Sequence, residues 1–92
     1  MDRREFGRSG ERAAERVLRR AGLIILARNW RASGGELDLA ALEGETLVFV
    51  EVKTRTDAEP EQPVSVSQWR RVANAAQHFR KRYQLHHRPS RI

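Results

Sequence analysis

The chain has 92 residues, a formal charge of +6 and an isoelectric point near 11.2, with no cysteine. A length of this order holds at most one domain with a limited core, and the missing thiols exclude a disulfide framework and a thiolate metal site. No stretch approaches the ~20 apolar residues that span a bilayer and Met1–Gly10 lacks an apolar signal core, so the simplest expectation is a cytoplasmic protein with no membrane role and a polyanionic partner, nucleic acid first.

Residues from about Arg4 to Ala21 predict a helix, with Phe6, Ala13, Ala14, Val17, Leu18 and Ala21 at helical spacing and Gly22 as its stop. Leu23 to Ala27 is a short branched run that reads as a buried strand, and Arg31 to Gly35 as a polar loop. Gly34-Gly35 reads as a tight turn aiming the residues that follow. Glu36 to Leu42 alternates, which puts Leu37, Leu39 and Ala41 on one face and Glu36, Asp38 and Ala40 on the other. A turn at Glu43–Thr46 leads into Leu47–Val52, a nearly continuous apolar run, so these two strands form a hairpin. Thr56 to Pro63 is expected to be an exposed loop. A second helix follows from about Ser67 to Gln84, capped by Ser65 or Ser67, with Trp69, Val72, Ala73, Ala76, Phe79 and Tyr83 as its apolar stripe. Residues 85–92 read as a flexible basic tail. The order helix, strand, strand, strand, helix predicts one α/β domain over residues 1–92, a small mixed sheet with a helix on each face.

An anomaly sits in the hairpin. Glu51 and Lys53 extend a strand that otherwise reads as buried, and both point to the face of Phe49. Glu36 and Asp38 share a face of the preceding strand. With a suitable register, three carboxylates and a lysine converge at one end of the sheet, where each must be paired or bound to a cation. Hard oxygen ligands of this kind suit Mg²⁺ or Mn²⁺: Asp38 and Glu51 as carboxylate ligands, the Val52 carbonyl as a third, and Lys53 to orient water or neutralise developing charge. Set against this, Glu51 and Lys53 also make sense as an ion pair on a half-exposed strand.

Gly35-Glu36-Leu37-Asp38-Leu39 and Val48-Phe49-Val50-Glu51-Val52-Lys53-Thr54-Arg55, with Gly10-Glu11-Arg12-Ala13-Ala14 and Arg28-Asn29-Trp30-Arg31 upstream, resemble the YraN-type family of bacterial proteins, itself similar to the PD-(D/E)XK nucleases. The resemblance covers nearly the whole chain. It implies a restriction-endonuclease-like core, metal ligands at Asp38 and Glu51, a catalytic lysine at Lys53 and a supporting acid at Glu11. Where the family usually carries a lysine near the start of the second helix, this chain has Gln68, which hydrogen-bonds but brings no charge. The family continues with a further strand that would begin near Arg91-Ile92, so the resemblance leaves the domain short of its last strand and its sheet edge open to a second copy.

Arg28, Arg31 and Arg55 flank the proposed site as phosphate contacts, and Arg70, Asn74, Gln77 and Lys81 lie on the outer face of the second helix, where they either follow a phosphate backbone or face solvent. Trp30 and Trp69 read as core residues, although Trp30 also suits base stacking, and His78, His86 and His87 form no metal-ligand pattern. The expected activity is metal-dependent hydrolysis of nucleic-acid phosphodiesters, DNA before RNA. A nucleic-acid-binding module with little catalysis and an interaction domain with structural carboxylates are the alternatives.

Overall fold

The computed structural model describes residues 3–53 and 65–92, the first six of these through their backbone alone. Helix α1 (Arg3–Arg20) is followed by β1 (Ile24–Ala32), β2 (Gly35–Glu43), β3 (Thr46–Val50), α2 (Val66–Arg82) and a two-residue β4 (Ser90–Arg91). The sheet order is β1-β2-β3-β4, with β1, β2 and β3 antiparallel and β4 parallel to β3. The domain is therefore the mixed α/β arrangement anticipated from the sequence, a four-stranded sheet with one helix on each face, consistent with a restriction-endonuclease-like core. Among the described residues no helix is long and apolar enough to cross a membrane.

Each helix ends for a local reason. Gly22, at φ +94°, lets the chain reverse after α1, while the Gly22 N–H bonds the Arg19 carbonyl and the Leu23 N–H bonds the Leu18 carbonyl. This is the Schellman pattern, and Leu23 and Leu18 pack together as it requires. At the start of α2, the Ser65 hydroxyl accepts from the Gln68 N–H while the Gln68 side chain accepts from the Ser65 N–H, a complete capping box.

The main core lies between the sheet and α2. Leu37, Ala40, Leu47 and Phe49 of the strands pack on Val72, Ala75, Ala76 and Phe79 of the helix. Gly35 allows α2 to come this close. A Cβ there would fall 1.9 Å from the Arg71 carbonyl oxygen, so no side chain fits. A smaller cluster of Leu23, Ala41 and Val48 faces α1.

Several expectations need correction. β1 is not a short buried strand. It is a nine-residue edge strand running through the expected Arg31–Gly35 loop to Ala32, with Ile24 and Leu26 exposed. A bulge between Ile25 and Ala27 shifts its register, which hinders pairing with another edge. Alternation also breaks on β2: Leu37 and Ala40 both belong to the α2-side core, whereas Ala41 faces α1. The break lies beside Asn29 of β1, which adopts φ +49°. Strand β3 ends at Val50 rather than Val52. Val17 and Trp69, placed on apolar stripes, are exposed at 65% and 52%, while Trp30 is held against Phe79 with ring centroids 5.3 Å apart.

The C-terminal residues, expected to leave the fold as a tail, return to it. The Arg80 guanidinium donates to the His86 and Arg88 carbonyls, the Leu47 N–H donates to the Pro89 carbonyl, and Ser90 and Arg91 pair with Leu47 and Val48. The strand thought missing is thus begun, and Arg91 reaches Glu43 at 2.8 Å. Arg55 and the expected Thr56–Pro63 loop lie outside the described residues.

Candidate metal and phosphate site

The register Leu39↔Val50 brings Asp38 beside the point where β3 runs out. There its Oδ2 accepts the Val52 N–H at 2.7 Å, standing in for a backbone carbonyl that would otherwise continue the ladder. Asp38 is half-buried, and its carboxyl is pushed above the usual aspartate range. Burial is the main cause. The Val52 N–H opposes it, Glu51 and Glu36 raise it further by like-charge repulsion, and Lys53 offsets part of this. The four charged groups singled out from the hairpin therefore feel one another at one end of the sheet.

The Lys53 Nζ lies 3.5 Å from Glu51 Oε1. This ion pair opens onto an apolar groove of about 520 Å³ bordered by Leu18 and Leu23 on one side and Trp69 and Ile92 on the other. The exposure of Trp69 follows from this position: its indole forms a wall of the groove instead of filling the core. Among the described residues, no group of three or more His, Cys, Asp or Glu side chains stands at metal-binding spacing.

Glu11 is placed elsewhere. It lines a separate cleft with Arg12, Glu15, Arg28, Asn29 and Leu39, next in sequence to Asp38 but not in the groove with Glu51 and Lys53. Gln68 is committed to the α2 capping box. Arg28 is not an open phosphate contact: its guanidinium binds both Glu15 oxygens, at 2.9 Å from Nε to Oε2 and by a second bond from Nη2 to Oε1. Arg19 adds a third bond to the same carboxylate at 3.0 Å. Arg28 first, with Arg19, thereby holds Glu15 at a pKa of about 2 against the partial loss of its hydration. Arg31 is 81% exposed and pairs loosely with Glu36 at 3.4 Å. Arg70 and Lys81 stand exposed on α2.

Glu15 was missed as a site residue because a helical wheel turns it outward. The hint was there in the Glu15/Arg19 spacing of four and a second arginine at Arg28, but only the β1–α1 packing shows that the acid faces the sheet.

The arrangement defines a class: a mixed α/β domain with a half-buried Asp38 and a Glu51–Lys53 ion pair at the open end of a central hairpin. Residues 10–92 match the model of the Uncharacterised protein family UPF0102, and the chain belongs to that family. It is 41% identical over 83 residues to a UPF0102 protein of Chloroflexus aurantiacus, covering 90% of this chain and 69% of that one. Over 90 residues it is 44% identical to a UPF0102 protein of Beutenbergia cavernae, covering 95% and 76%. A shorter match of 54 residues, 59% of this chain and 42% of the relative, is 56% identical to a UPF0102 protein of Nocardia farcinica.

Proposed function

We propose that this chain hydrolyses phosphodiester bonds of nucleic acid, DNA before RNA, with Mg²⁺ or Mn²⁺ as cofactor. The observation that carries the reading is Asp38: a half-buried carboxyl with raised proton affinity, set beside Glu51 and Glu36 at a strand end. Such a group lacks positive charge, and Lys53 is shared with Glu51. The donor set fits a hard divalent cation. Asp38 and Glu51 would hold it with the Val52 carbonyl, a short protein set of the kind Mg²⁺ accepts because water and substrate phosphate fill the remaining positions. When bound, the cation supplies charge that polarises the phosphoryl group and acidifies water.

The residues themselves do the positioning. The Val52 N–H fixes Asp38 Oδ2, and Oδ1 would be the oxygen offered to a cation. Glu51 and Lys53 pair at the edge of the groove, from which the Lys53 ammonium would stabilise a phosphate oxygen gaining charge. Glu11, one turn before the clamped Glu15, lines the separate α1 cleft beside Leu39 and would act on the site only through water.

The test is a Mg²⁺ titration followed by amide NMR, paired with a cleavage assay on plasmid and branched DNA. Shifts centred on Asp38, Glu51 and Val52 are expected, lost in Asp38→Asn. Cleavage is expected to fall by about 100-fold or more in Lys53→Ala, the scale seen when one charge-stabilising donor is removed. Unchanged spectra at millimolar cation would refute the metal site.

A second reading is favoured by one observation. Gln68, standing where the family's lysine is expected, is used by the helix cap and brings no charge. Metal-dependent shifts and DNA binding without cleavage would identify a binding module on this fold.

A further inference from the structure

The charge of this chain is strongly polarised. Up to Glu61 there are eleven Lys and Arg against twelve Asp and Glu, while after Glu61 there are seven Lys and Arg and no acid at all. All of the excess positive charge therefore belongs to α2 and the turn that follows it. On the rest of the molecule several cations answer to acids, Arg19 and Arg28 to Glu15, Arg31 to Glu36 and Lys53 to Glu51, although Arg16 and Arg20 of α1 are exposed as well. Among the described residues, Arg70, Arg71, Lys81 and Arg82 pair with no carboxylate, and all four are exposed.

Their placement on the helix is ordered. Arg70, Asn74, Gln77 and Lys81 follow one another at steps of four, three and four, which at about 100° per residue keeps them within about 60° of arc over about 17 Å. The buried residues Val72, Ala75, Ala76 and Phe79 occupy the opposite side. This outward stripe offers donors about every 5–6 Å and carries no Trp, Tyr or Phe ring, with the imidazole of His78 at its border. Single-strand binding uses stacked aromatics, and membrane-surface helices set apolar residues beside their cations. Neither is present on the stripe. Evenly spaced cationic and amide donors without a stacking platform suit a phosphate backbone.

The stripe also begins near the candidate site. Arg71 lies against Gly35 at the start of β2, and the Asn74 amide lies 3.7 Å from where a Gly34 Cβ would be, so the first turns of α2 stand over the strand that carries Asp38.

We propose that the outer face of α2, from Arg70 through Asn74 and Gln77 to Lys81, docks the sugar-phosphate backbone of duplex nucleic acid and leads it toward the Asp38 end of the sheet. The inference rests on the nucleic-acid part of the reading above but not on catalysis.

The experiment measures binding of a labelled DNA duplex by fluorescence anisotropy across a salt series. It uses the full chain carrying Asp38→Asn, with EDTA present, so that cleavage plays no part. Arg70→Ala/Lys81→Ala is compared with Arg16→Ala/Arg20→Ala, which removes equal charge from the exposed side of α1. The α2 pair is expected to weaken binding at least tenfold and to flatten the slope of log K against log salt by about 1.8, two phosphate contacts at about 0.9 each, with an unchanged melting temperature. The α1 pair is expected to leave the slope nearly intact. Equal losses in both variants would overturn the proposal by assigning binding to net charge. So would an unaltered slope in the α2 variant, the absence of duplex binding by the parent, or α2-dependent binding to phosphatidylserine vesicles without binding to DNA. A chain that binds through α2 yet cuts nothing keeps this inference and loses the catalytic one.

Discussion

On the α2 side of the sheet, Leu37, Ala40, Leu47 and Phe49 meet Val72, Ala75, Ala76 and Phe79, and Trp30 and Tyr83 complete an aromatic group around Phe79. On the α1 side, among the described residues, the buried cluster is the smaller set of Leu23, Ala41 and Val48, with Leu39 buried under the neighbouring cleft, and the helix is also tied down by the bonds from Arg19 and Arg28 to Glu15. One helix is held by apolar area, the other by a charged latch around a small cluster. Apolar contact is not screened by moderate salt and does not titrate, whereas an exposed ion pair is screened and titrates. The difference assigns most of the stability to α2 and leaves α1, which carries Glu11, as the element whose seating responds to conditions.

Four substitutions would break or sharpen that contrast. Phe79→Ala removes the ring shared by Phe49, Trp30 and Tyr83, and a loss of about 3–5 kcal/mol is expected in urea unfolding. Against a total of about 5–15 kcal/mol this nearly unfolds the domain, and a loss below about 1 kcal/mol would show that α2 is not the main support. Gly35→Ala forces β2 and the Arg71 carbonyl apart. Overpacking of this kind costs about 1–3 kcal/mol, to be read as a lower melting temperature.

Glu15→Gln tests the latch. Because the folded-state pKa of Glu15 is depressed to about 2 from an ordinary 4.5, its contribution is present above pH 4.5 and lost as pH falls toward 2. The variant is expected to be less stable than the parent at neutral pH, more so at low salt than at high salt, and to converge with it in acid. A stability difference that does not change with pH would disprove the electrostatic account.

Asp38→Asn carries the smallest effect, and its sign is reversed. The folded-state pKa of Asp38 is raised, so the favourable contribution of its protonated form is full below the ordinary value of 3.8 and lost as pH rises through the folded value. At neutral pH the ionised group weakens the fold. Asparagine keeps an oxygen for the Val52 N–H, and the variant is expected to match or slightly exceed the parent in melting temperature while losing the metal response. A clearly lower melting temperature at neutral pH would mean that the charge itself holds the strand end together.

Much of this was legible in the sequence because local rules governed it. Gly22 and Ser65 marked helix ends, and the charges at Asp38, Glu51 and Lys53 stood out against apolar neighbours, whereas the part of Gln68 in the cap emerged only from the structure. What was not legible depended on partners distant in sequence. The polar run Arg28-Asn29-Trp30-Arg31 gave no clean alternation because an edge strand with a left-handed residue shows two different faces to two helices. Trp69 kept helical spacing with the core, but its place in the first turn of α2 sets it beside a groove rather than over the sheet. Residues 85–92 look like a tail in composition, and contacts distant in sequence, the Arg80 bonds to the His86 and Arg88 carbonyls and the pairing of Ser90 and Arg91 with β3, turn them back.

The near-contact at Gly35 has a mechanical consequence for α2. At that end the helix rests almost backbone to backbone on β2, with only Ala75 between them. Toward its other end, the rings of Phe79, Phe49 and Trp30 fill the space. The gap between helix and sheet is therefore a wedge whose taper is set by residue size, from a missing side chain to aromatic rings meeting edge to face. Residue volume thus acts as a shim that sets the tilt of α2, and with it the distance of the Arg70–Arg71 turn from the strand that carries Asp38.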